Sequence, residues 1–353
     1  MRRRLAANRK LILTLAASIA LAASAFLLVG KVASYSRLTR ELGHANWPWL
    51  GLCVAGEILA YAGYILGYRD VARVDGGPEL SYRTVTGVVA TGFGAFVLAS
   101  AGGPAVDYWA LTRAGASRND AVARVLALNA IKFLVLAVVA ALAALAVLLG
   151  AGHASLALLV PWLAVVPVVL AFTAWISGRG ARSRFGRAPR DHDHSLCGFR
   201  VYERCLGYLV REGLHDAVKG VVYVRRLALS PIRYAGAAAG WPLYWAGDVL
   251  CLWAGLRAFG WHIGIAAVVL AYSTGYLAAL LPLPAGGTGG IEVAMTYALH
   301  AVGVPLAPAL LGVAAYRVFN FWLPILPATA VLPALRRIEA QLRAVGAAAP
   351  VPV

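Results

Sequence analysis

The segment Pro284-Ala285-Gly286-Gly287-Thr288-Gly289-Gly290-Ile291-Glu292 places four glycines and a carboxylate inside a strongly apolar stretch. Non-helical backbone at membrane depth survives only where protein buries it or where it lines a wet cavity. A helix starting at such a break aims free N–H groups and the positive end of its dipole into that cavity, which suits an anionic phosphate. Arg317 is the matching side chain, because a guanidinium fork fits phosphate oxygens and keeps its charge at depth. Gly286, Gly287, Gly289 and Gly290 would add backbone donors. Glu292 either caps the helix or orients a headgroup. A second break, Gly102-Gly103-Pro104, precedes Asp107, and this acid is assigned the same headgroup role.

Further ionisable residues lie within apolar runs, where they are costly and mark function by default. Glu57, Lys132 and Asp248 form an intramembrane charge network, in which Lys132 pairs with Glu57 or with Asp248. Arg124 lies nearer an interface, within reach of snorkelling. Cys53 and Cys251 read as small core residues. Trp47, Trp49, Trp241 and Trp261 lie near run ends, where interfacial aromatic belts belong. No nucleophile–base or metal-ligand spacing is present, so the expectation is no catalytic residue, no metal and no cofactor. The glycines lack the Lys-Ser/Thr ending of a phosphate-binding loop and have no strand before them.

The elements that position these residues are apolar helices. Hydrophobic residues make up 61% of the chain and charged residues 13%, which is an integral membrane composition. Long apolar runs cover 11–30, 47–67, 84–101, 123–149, 156–176, 236–258, 263–281 and 308–333, and shorter ones cover 104–114 and 290–302. A crossing needs about 20 residues. The expected fold is an all-α polytopic membrane protein with about eight long transmembrane helices and two short helices that either cross or re-enter. The chain reads as one membrane domain over 1–353.

The net charge of +17 points to anionic lipid and to topology rather than to nucleic acid. Arg2, Arg3, Arg4, Arg9 and Lys10 place the N-terminus in the cytoplasm. Residues 177–233 carry twelve Lys and Arg and belong on the same side. That requires the short helix over 104–114 to act as an effective crossing, and if 290–302 does likewise the C-terminus, with Arg336, Arg337 and Arg343, is cytoplasmic too. Within a basic loop over 177–235, residues 199–226 read as an interfacial helix. Tyr202, Leu206, Leu209, Leu214, Val218 and Val221 share one side, and Arg200, Arg204, Arg211, His215 and Lys219 share the other. It is either an anchor or a lipid-gathering surface.

Gly115-Ala116-Ser117-Arg118-Asn119-Asp120-Ala121-Val122 is similar to Gly303-Val304-Pro305-Leu306-Ala307-Pro308-Ala309-Leu310. Each follows a short helix and leads into a long one. The two acids, Asp107 and Glu292, are three positions out of register. Opposed orientation would make 84–149 and 263–333 the units of an inverted repeat, a pointer to a transport site near the midplane.

Leu281-Pro282-Leu283-Pro284-Ala285-Gly286-Gly287-Thr288-Gly289-Gly290-Ile291-Glu292, then Ala315-Tyr316-Arg317 and Trp322-Leu323-Pro324, resemble the hallmark of the lysylphosphatidylglycerol synthase transmembrane (flippase-like) family. The resemblance implies an all-helical membrane fold and lipid transport, and it adds Tyr316 to the lipid-binding set. The family's Pro/Gly break with an acid is approximated by Gly102-Gly103-Pro104 and Asp107. Its Glu-Arg then Asp pattern in the fourth span is replaced by Leu128-Asn129-Ala130-Ile131-Lys132, so this half-site lacks the usual charges. The expected function is a flippase or transporter for an anionic phospholipid or polyprenyl-phosphate in a prokaryotic-type cell membrane. The alternative is a non-catalytic subunit that presents lipid to a partner glycosyl- or aminoacyl-transferase. No segment reads as the family's soluble aminoacyl-transfer domain, so no lysyl transfer by this chain alone is expected.

Overall fold

The computed structural model describes Gly43 and residues 45–98, 102–176, 202–280 and 288–348. The first expected span, 11–30, lies outside the described residues, as do 177–201 and the break over 281–287 with Gly286 and Gly287. Among the described residues every regular element is helical.

The helices are α1 (Trp47–Arg73), α2 (Tyr82–Leu98), α3 (Gly102–Arg113), α4 (Arg118–Leu148), α5 (Leu156–Ile176), α6 (Tyr202–Leu229), α7 (Ala235–Ala258), α8 (Ile265–Tyr276), α9 (Gly290–Ala301), α10 (Leu306–Arg317), α11 (Ile325–Val331) and α12 (Leu335–Ala348). A π-helical turn, Val318–Trp322, joins α10 to α11. The elements Trp47–Gly76, Arg118–Leu148, Leu156–Trp175 and Leu306–Ala348 are each long and apolar enough to cross a bilayer. Helix α5 has the composition of a lipid-facing element: Val160, Val168, Phe172 and Trp175 are exposed. Helix α7 is long but rich in Gly, Ala and Trp, because it forms the buried centre rather than a lipid face.

Helices α1 and α7 pack antiparallel with almost nothing between them. A Cβ on Gly56 would sit 2.7 Å from the Gly247 carbonyl oxygen, and one on Gly247 would sit 2.4 Å from that of Gly56. Gly63 and Gly240 repeat the reciprocal contact at 2.4 and 2.5 Å. Only glycine allows two backbones so close. Trp241 is fully buried against Gly67, not interfacial as its position near a run end suggested. Cys53 and Cys251 are buried core residues, as expected.

Two hairpins enter this frame from opposite ends. Helices α2 and α3 both reach the end marked by α12: Thr84 bonds Gln341 at 3.0 Å, Arg113 lies 3.6 Å from Glu339, and Gly115 abuts Gly346. Helices α8 and α9 start and finish at the other end, where Asn46 N–H donates to the Ala258 carbonyl and Phe259, Leu310 and Trp49 pack together. The α12 end is the charged one. There Lys219 pairs with Asp120 at 2.9 Å, and Arg226 pairs with Asp75. The last part of α6 lies along the first part of α4, with Gly220 set against Ala123 and Ala127.

Arg124 is 1% exposed and does not snorkel. Its Nη1 donates to the carbonyls of Val71, Ala72 and Val74 at 3.0, 2.7 and 2.8 Å, and its Nε donates to Asp120 at 2.8 Å. It caps the C-terminus of α1, where helix carbonyls lack partners and a cation is favoured.

Candidate functional site

The short helices α3 and α9 are built alike. Each has twelve residues, about 18 Å of rise and too little for a crossing. Each ends on a glycine in the left-handed region, Gly115 at φ 93° and Gly303 at φ 98°. The same pair of turn bonds closes each helix. Gly115 N–H reaches Thr112 and Ala116 N–H reaches Leu111, while Gly303 N–H reaches His300 and Val304 N–H reaches Leu299. The next helix opens from extended residues with matching torsions, Ser117 at φ −61°, ψ 158° and Pro305 at φ −60°, ψ 148°.

Aligned on these two turns, Asp107 falls opposite Met295, and Glu292 falls opposite Pro104. The bases shift with the acids: Lys132 falls opposite Asn320, and Arg317 opposite Asn129. Acid and base have moved together by three positions, nearly one helical turn.

In the second hairpin the charges are closed on each other. Arg317 Nε donates to Glu292 Oε1 at 2.7 Å, and Glu292 Oε2 accepts from the Gly289 N–H at 2.6 Å. Gly289 has φ 88°, and its N–H is therefore already taken. Gly290 is the first residue of α9. Arg317 Nη2 lies 3.5 Å from Thr288 Oγ1, and the guanidinium sits 4.2 Å from the Phe321 ring centroid. Glu292 is thus both a cap and an ion-pair partner.

In the first hairpin the charges face open space. Asp107, Lys132 and Asn129 line a cavity of about 840 Å³, its open mouth included, with Gly103, Pro104 and a wall of aromatics. Tyr64, Tyr244 and Tyr276 line it together with Phe93, Phe96 and Phe133. Among the described residues Lys132 makes no ion pair within 4 Å. Its electrostatic neighbours are Asp107 and Asp248 rather than Glu57.

An apolar groove of about 1010 Å³, open space included, runs beside this cavity between α4, α5, α6 and Leu277, just after α8. Ala137, Trp162, Val169 and Val224 line it, and Phe133 belongs to both.

Asp248 sits between the two hairpins. Its Oδ2 accepts from Tyr272 at 2.7 Å and its Oδ1 from Asn320 Nδ2 at 2.8 Å. Lys132 and Arg317 both act on it electrostatically. Glu57 is its acidic neighbour, 4% exposed, with an Oε1 that has no hydrogen-bond partner. Tyr316 lies in this buried layer, its hydroxyl 3.3 Å from that of Tyr272, and does not line the cavity.

Sequence reading did not single out Tyr272, Asn320, Asn129 or the three cavity tyrosines. The signals were slight: Tyr272 and Tyr276 one turn apart on α8, and a lone Asn three residues after Arg317. No cluster of metal-ligating side chains occurs among the described residues.

A family model described as Lysylphosphatidylglycerol synthase TM region matches residues 15–328. No curated protein matches the chain.

Proposed function

The chain belongs to the lysylphosphatidylglycerol synthase transmembrane family, and from that premise we propose that it moves a lipid with an anionic headgroup between leaflets. The observation that carries this reading is the polar cavity and the apolar groove meeting at Phe133. A lipid has the same two-part character, so its phosphate would seat on Lys132 while its chains occupy the groove. The family is one of membrane proteins associated with lipid handling, and the specific transport step is our reading. Lys132 is the natural first contact, because Arg317 is committed to Glu292. A headgroup passing to Arg317 displaces Glu292 from it. Asp107 then screens any cationic part of the headgroup.

The opposed hairpins, with their matched turns, support an inverted repeat in which each half opens toward one leaflet. The charged α12 end, where the basic residues of α6 gather, would face the cytoplasm.

A two-sided assay in proteoliposomes with a fluorescent phosphatidylglycerol tests this. Charge-assisted hydrogen bonds contribute about 1.5–3 kcal/mol, so Lys132→Met should weaken headgroup binding and slow transfer by roughly ten- to a hundredfold. Transfer at the wild-type rate in Lys132→Met would sink the assignment of the cavity. Val169→Trp, which fills the groove without touching Lys132, should slow transfer as well.

A further inference from the structure

The charges within the spans do not balance. Arg317 is satisfied by Glu292 at 2.7 Å. That leaves three buried acids, Glu57, Asp107 and Asp248, among the described residues, with Lys132 acting on Asp107 and Asp248 but not on Glu57. Uncompensated charge at membrane depth costs several kcal/mol per ion, so a further cation belongs to this group.

The hydrogen bonds show where it goes. Both oxygens of Asp248 accept from fixed donors, Tyr272 and Asn320, which is the dressing of an ionised carboxylate. Glu57 Oε1 is buried and makes no hydrogen bond, although Cys251 and Asn320 interact with the carboxyl group. A bare, buried oxygen beside a second carboxylate is a seat for a proton, since two like charges held close cannot both stay ionised without compensation.

The titratable groups that face the pair from its own and neighbouring helices are few. Cys53 and Tyr61 lie on α1, Tyr244 and Cys251 on α7, Tyr272 and Tyr276 on α8, and Tyr316 on α10. None of these brings positive charge. Lys132 and Arg317 do, and both act on Asp248.

We propose that the Glu57–Asp248 pair takes up one proton, on Glu57 Oε1, when an anionic headgroup occupies Lys132, and releases it when the headgroup leaves. A phosphate on Lys132 cancels the field that the ammonium exerts on Asp248, and the O–H bond formed on Glu57 replaces that lost positive charge. By linkage the proton favours headgroup binding to the same degree. One proton and one singly charged lipid cross together as a neutral unit. The coupling rests on the cavity being the lipid's seat; the protonation of Glu57 is read separately.

Two measurements on the full chain test this. In proteoliposomes, a gradient of one pH unit should bias a fluorescent phosphatidylglycerol between leaflets by up to about tenfold, and membrane potential alone should not. Glu57→Gln should equalise the leaflets. Wild-type transfer with no pH bias, a bias unchanged in Glu57→Gln, or a bias that follows a sodium gradient instead would overturn the proposal. In nanodiscs, infrared difference spectra on adding phosphatidylglycerol should show a carboxylic-acid carbonyl band that Glu57→Gln removes. Asp248→Asn, which retains the acceptor for Tyr272, should remove it by a second route. No band in the wild type overturns the proton site. A band present in a chain that moves no lipid supports the proton site and sinks the transport reading alone.

Discussion

Helix α3 and helix α9 reach the same turn with different residues, and one holds its acid in a closed ion pair while the other sets it on a cavity. Both run twelve residues to a left-handed glycine and feed a helix opened by an extended residue. In α9 the acid is the third residue of the helix, where it caps its own N-terminus and holds Arg317. In α3 the acid comes one turn later, out of reach of that N-terminus, and faces a cavity shared with Lys132. The difference teaches that this backbone frame needs only breaks and glycines. Whether a half-site is sealed or open depends on one helical turn in the placement of an acid and a base.

The largest test of that contrast is removal of each base. Arg317→Ala leaves the partly buried Glu292 with only the Gly289 N–H as a partner, and should cost about 2–3 kcal/mol in a detergent unfolding experiment. Lys132→Ala ends no close ion pair, and the carboxyl groups near it can take up protons in its absence, so it should cost less than Arg317→Ala. Equal losses would erase the distinction between a sealed and an open half.

A smaller effect separates the two turns. Alanine at either glycine meets a left-handed backbone penalty of roughly 1–2 kcal/mol. A Cβ at Gly115 would also lie 2.9 Å from the Gly346 Cα, whereas one at Gly303 meets nothing within 4 Å. Gly115→Ala should therefore lower the unfolding midpoint more than Gly303→Ala. The smallest effect is at the caps. Ser117 accepts from the Asp120 N–H at 3.3 Å, so Ser117→Ala should cost about 1 kcal/mol. Pro305 offers no side-chain cap, and Pro305→Ala should change the midpoint less.

Much of the frame was legible because its signals are local. Gly115 and Gly303 end helices, Gly102-Gly103-Pro104 opens one, and the described helices fall close to the apolar runs. The expected pairing of Lys132 with Glu57 or Asp248 was harder to read. Asp107, its other neighbour, lies on a helix of different depth, and α-helical periodicity does not say which faces meet. The same holds for Tyr272 and Asn320, which converge on Asp248 only because α8 and the π turn after α10 pack against α7. Arg124 belongs with them: a cation near a run end is a snorkelling candidate in sequence, and only the approach of the end of α1 makes it a cap.

The glycine seam between α1 and α7 has a mechanical consequence. Side-chain interfaces adjust by changing rotamers, but a contact of backbone on backbone has none to change. Packed cores switch between discrete arrangements rather than deform continuously, and this seam offers no second arrangement. It therefore acts as a stator. On the transport reading proposed above, the two hairpins would turn against a fixed axle set by Gly56, Gly63, Gly240 and Gly247.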